Sequence, residues 1–220
     1  MNSSVLHPYY PVSLHLPHYV ANSKGTPLLL FMFAAVLGFV LIPAYILITT
    51  KRDFALSTRL SFLWFITCGC IHLFFEGYFA VNHATLASKS TLFGELWKEY
   101  ALSDSRYLSS DSFVLWMETL TAFLWGPLSF IIAYQIFNDD PKRHLGIVVV
   151  SAGQIYGDIL YYMTTLYEGA PHSRPEPYYF WCYFVLMNAF WIVIPGSYIF
   201  NSSQAILTSL SQTSDKKKKV

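Results

Sequence analysis

Charged residues are scarce in this chain. Asp, Glu, Lys and Arg make up 12% of its 220 residues, about half the share of ~25% found in soluble domains. Hydrophobic residues make up 54%. A soluble domain of this length needs a charged surface, and these charges are too few to form one. The composition therefore indicates a polytopic membrane protein.

Other shortages exclude further classes of protein. Three cysteines are too few for a disulfide-stapled secreted module. A net charge of +1 gives no basic surface for nucleic acid, so no nucleic-acid partner is expected. The sequence shows no internal repeat and no cofactor fingerprint. Intrinsic disorder is excluded by what is abundant, since 18% aromatic residues cannot remain solvated.

Five long apolar stretches are present, each long enough for one helix to cross a hydrocarbon core of ~30 Å. They cover residues 28–48, 60–81, 113–137, 146–167 and 179–200. The alternation typical of membrane strands is absent. The sequence therefore predicts an all-α polytopic membrane protein, a five-transmembrane-helix bundle over residues 28–200 with an intramembrane cavity. An N-terminal segment 1–27 precedes it, and a basic tail 201–220 follows it.

Basic residues orient this predicted bundle. The connecting segments on the N-terminal side carry five lysine and arginine residues, whereas the opposite side carries nine, in loops 49–59 and 138–145 and in the tail. The positive-inside rule predicts a lumenal N-terminus and a cytosolic C-terminus. Lys217 and Lys218 then have the spacing of a dilysine signal for retrieval to the endoplasmic reticulum. The alternative is a basic tail beside an anionic leaflet.

Ionisable side chains inside the spans are the candidate functional residues, because each Asp or Glu at a helix centre costs roughly 2.5–3.5 kcal/mol on insertion scales. His72 and Glu76 share one face of span two, and Glu118 lies on span three. Spans two and three run antiparallel, so the three side chains come to a similar depth. Asn188 and Trp191 lie near the middle of span five. We expect these residues to face the interior of the bundle.

This constellation is suited to acid–base chemistry on a lipidic substrate. An apolar environment favours the neutral form of a carboxylic acid, and a neighbouring histidine can give or take a proton. An aromatic ring such as that of Trp191 can stabilise a cation. Thr121, one turn from Glu118, is placed to donate a hydrogen bond to it. Two alternatives stay open: polar side chains that hold the helices together, and a proton pathway in a transporter.

Two other features have an expected role. Segment 82–112 is too long for a plain turn, and its aromatic and charged residues predict an ordered cap over the cavity, the alternative being an interfacial helix. On span four, Gly153 and Gly157 allow a close helix approach and permit a homodimer. Asp158 is structural or catalytic, and the structural role is favoured.

Several short motifs are distributed along the chain, namely Leu6–Pro11, Ile71–Gly77, Leu96–Tyr100, Asp104–Tyr107, Met117–Ala122, Trp125–Pro127, Gly153–Asp158 and Met187–Trp191. At these motifs the chain resembles the emopamil-binding protein family of sterol isomerases, in the EXPERA superfamily. The resemblance covers about residues 5–200. The family implies a protein of the endoplasmic reticulum membrane, acting in cholesterol-type sterol biosynthesis. The resemblance further implies an enzyme that moves the C8–C9 double bond of a Delta-8 sterol to C7–C8, through a cation at C8, without a metal or organic cofactor.

Carried over by motif, the family's site falls on catalytic His72, Glu76 and Glu118, with Thr121, Asn188 and Trp191 beside the substrate. The resemblance implies that His72 and Glu76 handle the proton delivered to C9. Glu118, held by Thr121, is expected to accept the C7 proton, although these roles could be exchanged. Trp191 is expected to face the cation, and Asn188 is expected to orient the carboxylates. Tyr107 and Arg106 are expected to line or order the lumenal mouth.

The expected partners are a Delta-8 sterol, membrane lipid and cationic amphiphilic drugs that mimic the carbocation. The competing hypothesis from the same superfamily is a non-catalytic protein that binds sterols or cationic amphiphiles. In that case the buried carboxylates would be counter-ions for the ligand.

Overall fold

A computed structural model describes residues 6–217, with side chains described for residues 6–214. Its described residues form helices and no strands, and five helical segments are long and apolar enough to cross a membrane. These segments are Thr26–Lys51, Leu56–Ser88, Ser112–Phe137, Arg143–Tyr167 and Tyr179–Ser214. The predicted all-α, five-span architecture is confirmed. Spans one and two extend past both predicted ends, and each of the other three extends past one end.

Span one is a single helix, α1 (Thr26–Lys51), and most of its side chains face outward. Large apolar side chains such as Phe31 and Phe39 are exposed along it. A helix satisfies its own backbone hydrogen bonds, so such a segment can lie against lipid. α1 packs mainly along span two and the cap described below, and its C-terminal Lys51 also contacts Phe137 at the end of span three.

Spans two, three and five each combine α-helix with a π-helical stretch. Span two contains α2 (Leu56–Cys70), a π-helical stretch at Ile71–Glu76 and α3 (Gly77–Asn82). Such stretches are rare and occur frequently at functional sites. Helix α4 (Leu92–Tyr100) lies between spans two and three. The remaining segments are α5 (Ser112–Leu120), π-helical Thr121–Trp125, α6 (Gly126–Phe137), α7 (Arg143–Tyr167), π-helical Tyr179–Leu186 and α8 (Met187–Lys217).

The π-helical stretches of spans two and three pack directly against each other. Gly126 makes this approach possible, because a Cβ atom there would lie 2.9 Å from the backbone nitrogen of Leu73. Small residues let membrane helices approach closely in this way. The contact brings the stretch that carries His72 beside the span that carries Glu118.

Two apolar clusters form the core, one at each end of the bundle. Phe65, Ile132 and Val150 belong to the cluster nearer the loop between spans three and four. Phe79, Trp97 and other aromatic residues form the cluster beneath the connection between spans two and three. The polar residues of the candidate site lie between these two clusters.

Segment 82–112 forms an ordered cap, as predicted. Trp97 and Lys98 of α4 are buried, which an interfacial helix resting on a membrane surface would not require. Thr91 caps the start of α4 by accepting a hydrogen bond from the backbone nitrogen of Gly94 at 3.2 Å. The N-terminal segment lies across the cap, and Lys98 Nζ donates to the Val20 carbonyl oxygen at 2.6 Å.

Helix α8 continues through Lys217, so most of the segment predicted as a basic tail is helical. The predicted retrieval signal falls on Lys217, the last residue of this helix, and on Lys218. Lys218 lies outside the described residues.

Candidate active site

A cavity with about 950 Å³ of empty space, including its open mouth, lies between the two apolar clusters. All five spans and the cap contribute to its wall, for example Phe33 from span one, Trp97 from the cap and Asn188 from span five. Ligand pockets in proteins are concave and have mostly apolar linings, and this cavity shares both features.

His72 and Glu76 form a buried hydrogen-bonded pair on the cavity wall. The distance between His72 Nδ1 and Glu76 Oε2 is 2.8 Å. On the other side of the imidazole ring, Gln154 Nε2 of α7 lies 2.9 Å from His72 Nε2. With the amide nitrogen donating to Nε2, the Nδ1 proton points at Glu76. His72 is therefore held from both sides.

Glu118 is the second carboxyl group of the cavity, and it is buried at the end of α5. The Tyr107 hydroxyl of the cap donates to Glu118 Oε1 at 2.6 Å. Burial and the nearby Glu118 charge raise the pKa of Tyr107, so this residue stays a hydrogen-bond donor at neutral pH. The cap thus completes the site by supplying a partner for Glu118.

The predicted hydrogen bond from Thr121 to Glu118 is wrong. Thr121 lines the cavity, but its hydroxyl donates to the Met117 carbonyl oxygen at 2.8 Å. A threonine in a helix commonly donates to the carbonyl group four residues earlier. Tyr107 donates the hydrogen bond to Glu118 that was expected from Thr121.

Asn188 and Trp191 line the cavity from α8, as expected. Asn188 does not orient the carboxylates, however, since its amide group pairs with the Tyr100 hydroxyl at 2.9 Å and the Phe184 carbonyl oxygen at 2.6 Å. It therefore ties span five to the cap. The Trp191 ring lies 4.9 Å from the His72 ring, centroid to centroid.

Arg106 orders the cap, and it is not among the described residues that line the cavity. Its guanidinium group forms a buried ion pair with Asp104 at 2.7 Å and hydrogen bonds with Thr164 and Thr165 of α7. Burial opposes the charge of Arg106, but the hydrogen bonds and charge of Asp104 outweigh it and raise the pKa of Arg106. This charged pair anchors the cap to span four.

Gly153 and Gly157 face span three of the same chain, which corrects the proposed dimer face. A Cβ atom on Gly153 would lie 2.4 Å from the Trp125 ring, and one on Gly157 would lie 3.8 Å from Met117. Both glycines also line the cavity. They allow the close approach that was expected, but the helix they admit is span three.

Sequence reasoning gave no site role to Gln154, Tyr100 or Tyr161, and it favoured a structural role for Asp158. All four line the cavity. The available signal was the i, i+4 spacing of Gln154 and Asp158 inside an apolar span, the same signal that identified His72 and Glu76. The cap residue Tyr100 gave no comparable signal.

The fold and the site together define a polytopic helical membrane protein with acid–base residues in a capped intramembrane cavity. The family model EXPERA, the expanded EBP superfamily, matches residues 92–202. The chain is 39% identical over 222 residues to the 3-beta-hydroxysteroid-Delta(8),Delta(7)-isomerases of Rattus norvegicus and Mus musculus, covering all of this chain and 96% of each relative. The enzyme of that name from Cavia porcellus is 38% identical over 200 residues, 90% of this chain and 87% of the relative. The chain belongs to the EXPERA family, which confirms the resemblance.

Proposed function

We propose that the protein is a 3-beta-hydroxysteroid Delta(8),Delta(7)-isomerase that moves the C8–C9 double bond of a sterol to C7–C8 in sterol biosynthesis. The observation that carries this proposal is the presence of two acid–base groups in one capped cavity. The His72–Glu76 pair lies on span two, and Glu118 with Tyr107 lies on span three and the cap. An allylic double-bond shift requires one proton to be delivered and another to be removed.

The proposed reaction begins when the His72–Glu76 pair delivers a proton to C9. The electrons of the C8–C9 double bond form the new C9–H bond and leave a cation at C8. Glu118 then takes the proton from C7, and the electrons of that C–H bond form the C7–C8 double bond. The number of protons on the sterol is unchanged, so the reaction consumes no external oxidant or reductant.

The intermediate cation needs stabilisation and protection from water. The Trp191 ring lines the cavity close to His72, and an aromatic face attracts a cation. The buried carboxyl groups would provide negative charge when they are ionised, and the cap would shield the cation from water. The same features would bind a cationic amphiphile whose ammonium group lies between Glu76, Glu118 and Trp191, so such compounds should compete with the sterol.

The proposed location is the endoplasmic reticulum membrane, with the N-terminus and cap lumenal and the C-terminus cytosolic. The excess of basic residues in loops 49–59 and 138–145 and in the tail supports this orientation. Lys217 and Lys218 would then be read by the retrieval machinery from the cytosol. The sterol would reach the cavity from the surrounding lipid.

The proposal is tested with purified protein in liposomes that contain zymostenol, without nucleotide or added metal. Sterols are extracted and separated by gas chromatography, and protein-free liposomes are the control. The expected result is time-dependent formation of the Delta-7 isomer. Sterol binding by folded protein without any product would contradict the proposal and favour a non-catalytic binding protein.

A further inference from the structure

Helix α7 presents unpaired polar side chains to the cavity. Gln154, Asp158 and Tyr161 lie on one face of this helix, line the cavity and are each more than nine-tenths buried. Three of their atoms, Gln154 Oε1, Asp158 Oδ2 and the Tyr161 hydroxyl, have no hydrogen-bond partner among the described residues. A buried polar atom without a partner is costly, so such a group indicates a place where a ligand supplies the hydrogen bond.

The other polar groups of the cavity differ in this respect. His72 pairs with Glu76, Glu118 pairs with Tyr107, and Asn188 pairs with Tyr100. The acid–base groups thus have protein partners. Among the cavity-lining residues that the structure describes, the buried polar atoms without a partner all belong to α7.

Asp158 and Tyr161 retain the free hydrogen-bonding capacity of this face. Gln154 already uses its amide nitrogen for His72. Asp158 lies one turn from Gln154, and the Tyr161 ring lies 6.3 Å from the ring of Tyr107, the partner of Glu118. Asp158 and Tyr161 therefore lie in the same cavity as the acid–base groups, along the part of its wall that runs from the middle towards the cap.

An alcohol satisfies both side chains at once. Its proton can be donated to the Asp158 carboxyl group, which accepts a hydrogen bond whether or not it is ionised, and its oxygen can accept a hydrogen bond from Tyr161. Residues at i and i+3 lie on neighbouring turns of one helix face, so one small polar group can reach both. The ring atoms of a sterol, in contrast, offer no hydrogen-bonding group.

We propose that Asp158 and Tyr161 form the subsite that binds the 3β-hydroxyl group of the sterol. The identity of the ligand rests on the proposed function, whereas the preference for a hydroxyl group rests on the unpaired atoms. Because the four fused rings are rigid, holding the hydroxyl group at one end fixes the position of C7, C8 and C9 relative to Glu118 and the His72–Glu76 pair. Asp158 is then a positioning residue that gives and takes no proton in the reaction.

The test compares a Delta-8 sterol that carries the 3β-hydroxyl group with its 3-deoxy analogue. KM and kcat are measured for both, and dissociation constants are measured by competition with a fluorescent sterol. The variants are Asp158→Leu, Asp158→Asn and Tyr161→Phe. Tyr156→Phe is the matched control, since Tyr156 is an exposed tyrosine of the same helix. Folding of each variant is checked by its thermal unfolding.

The wild-type protein should bind the 3β-hydroxy sterol about 10- to 100-fold more tightly than the 3-deoxy analogue. Asp158→Leu and Tyr161→Phe should lose most of this preference, mainly through a higher KM for the 3β-hydroxy sterol. Both variants should convert the 3-deoxy analogue as the wild type does. Asp158→Asn should keep most of the preference, because an amide still bonds a hydroxyl group. If Asp158→Leu does not fold, Tyr161→Phe gives the same comparison.

Three results would overturn the subsite. In the first, the wild type binds the two sterols equally. In the second, the variants lose the same factor of affinity for both sterols. In the third, the preference for the 3β-hydroxy sterol survives both Asp158→Leu and Tyr161→Phe. If the wild type converts neither sterol, the isomerase proposal fails, and the dissociation constants still decide the subsite by the same criteria.

Discussion

At the scale of single residues, Glu118 gives the sharpest test of the proposed chemistry. Glu118→Gln keeps the shape of the side chain and can still accept the hydrogen bond from Tyr107, but an amide cannot take a proton. Turnover should fall by ~10²–10⁴, the usual contribution of a general acid or base. Sterol binding should stay within about threefold of wild type, because the cavity is unchanged.

The matched control is Glu168→Gln, which changes an exposed glutamate just after α7. It should convert sterol at the wild-type rate. Unchanged turnover in Glu118→Gln, measured in the same liposome assay, would contradict the role given to Glu118.

Much of the site could be predicted from residue type and spacing alone. His72, Glu76 and Glu118 were identifiable because ionisable groups in apolar spans are costly and need a reason. The partners of these residues could not be predicted. Tyr107 reaches Glu118 only because the cap folds over the cavity, and Thr121 turns back to its own helix backbone. These hydrogen-bond partners depend on tertiary contacts between residues that are distant in sequence.

At the scale of helices, the sequence predicts where the spans lie but not their internal geometry. Apolar length alone identifies five spans. The π-helical stretches at Ile71–Glu76 and Thr121–Trp125 have no comparable local pattern, since they form where two spans meet at Gly126. The cap was predictable as an ordered segment, whereas its anchoring by the N-terminal segment was not.

The contact between spans three and four predicts that Gly153 does not tolerate a side chain. In Gly153→Ala the new Cβ atom would lie 2.4 Å from the Trp125 ring. Overpacking of this kind costs ~1–3 kcal/mol, so the thermal unfolding temperature should fall. The control is Gly38→Ala on α1, where a Cβ atom meets nothing within 4 Å. A Gly153→Ala protein as stable as Gly38→Ala would contradict this packing.

Glu95 of the cap is predicted to make stability depend on acid pH. Burial opposes its ionisation, but hydrogen bonds from Ser23 and Lys24 and the Lys24 charge outweigh burial and lower the pKa of Glu95 below its ordinary 4.5. The resulting stabilisation is complete above pH 4.5 and is lost as the pH falls through the lowered value.

Glu95→Gln should therefore destabilise the protein by ~1–3 kcal/mol at neutral pH. Its difference from wild type should shrink as the pH falls below 4.5. Thermal unfolding in detergent at several pH values measures both effects, with the exposed Glu168→Gln as control. A difference that is independent of pH would show that the charge of Glu95 is not responsible.

At the scale of the whole molecule, the cap and the end of α8 lie at opposite ends of the bundle. The N-terminal segment packs on the cap, and the five spans that follow it place the end of α8 on the other side. The proposed orientation predicts that a glycosylation sequon on a short N-terminal extension is modified in microsomes. The same sequon on a C-terminal extension should stay unmodified. A shift in electrophoretic mobility that glycosidase reverses reports the modification, and the opposite pattern would invert the topology.

The central claim is that the capped cavity moves a double bond by adding one proton and removing another. The most direct measurement is conversion of zymostenol by the purified protein in heavy water, with the product examined by mass spectrometry and NMR. The account predicts a Delta-7 sterol with a single new deuterium, located at C9. A Delta-7 product without deuterium at C9, or no product from folded protein that binds sterol, would contradict it.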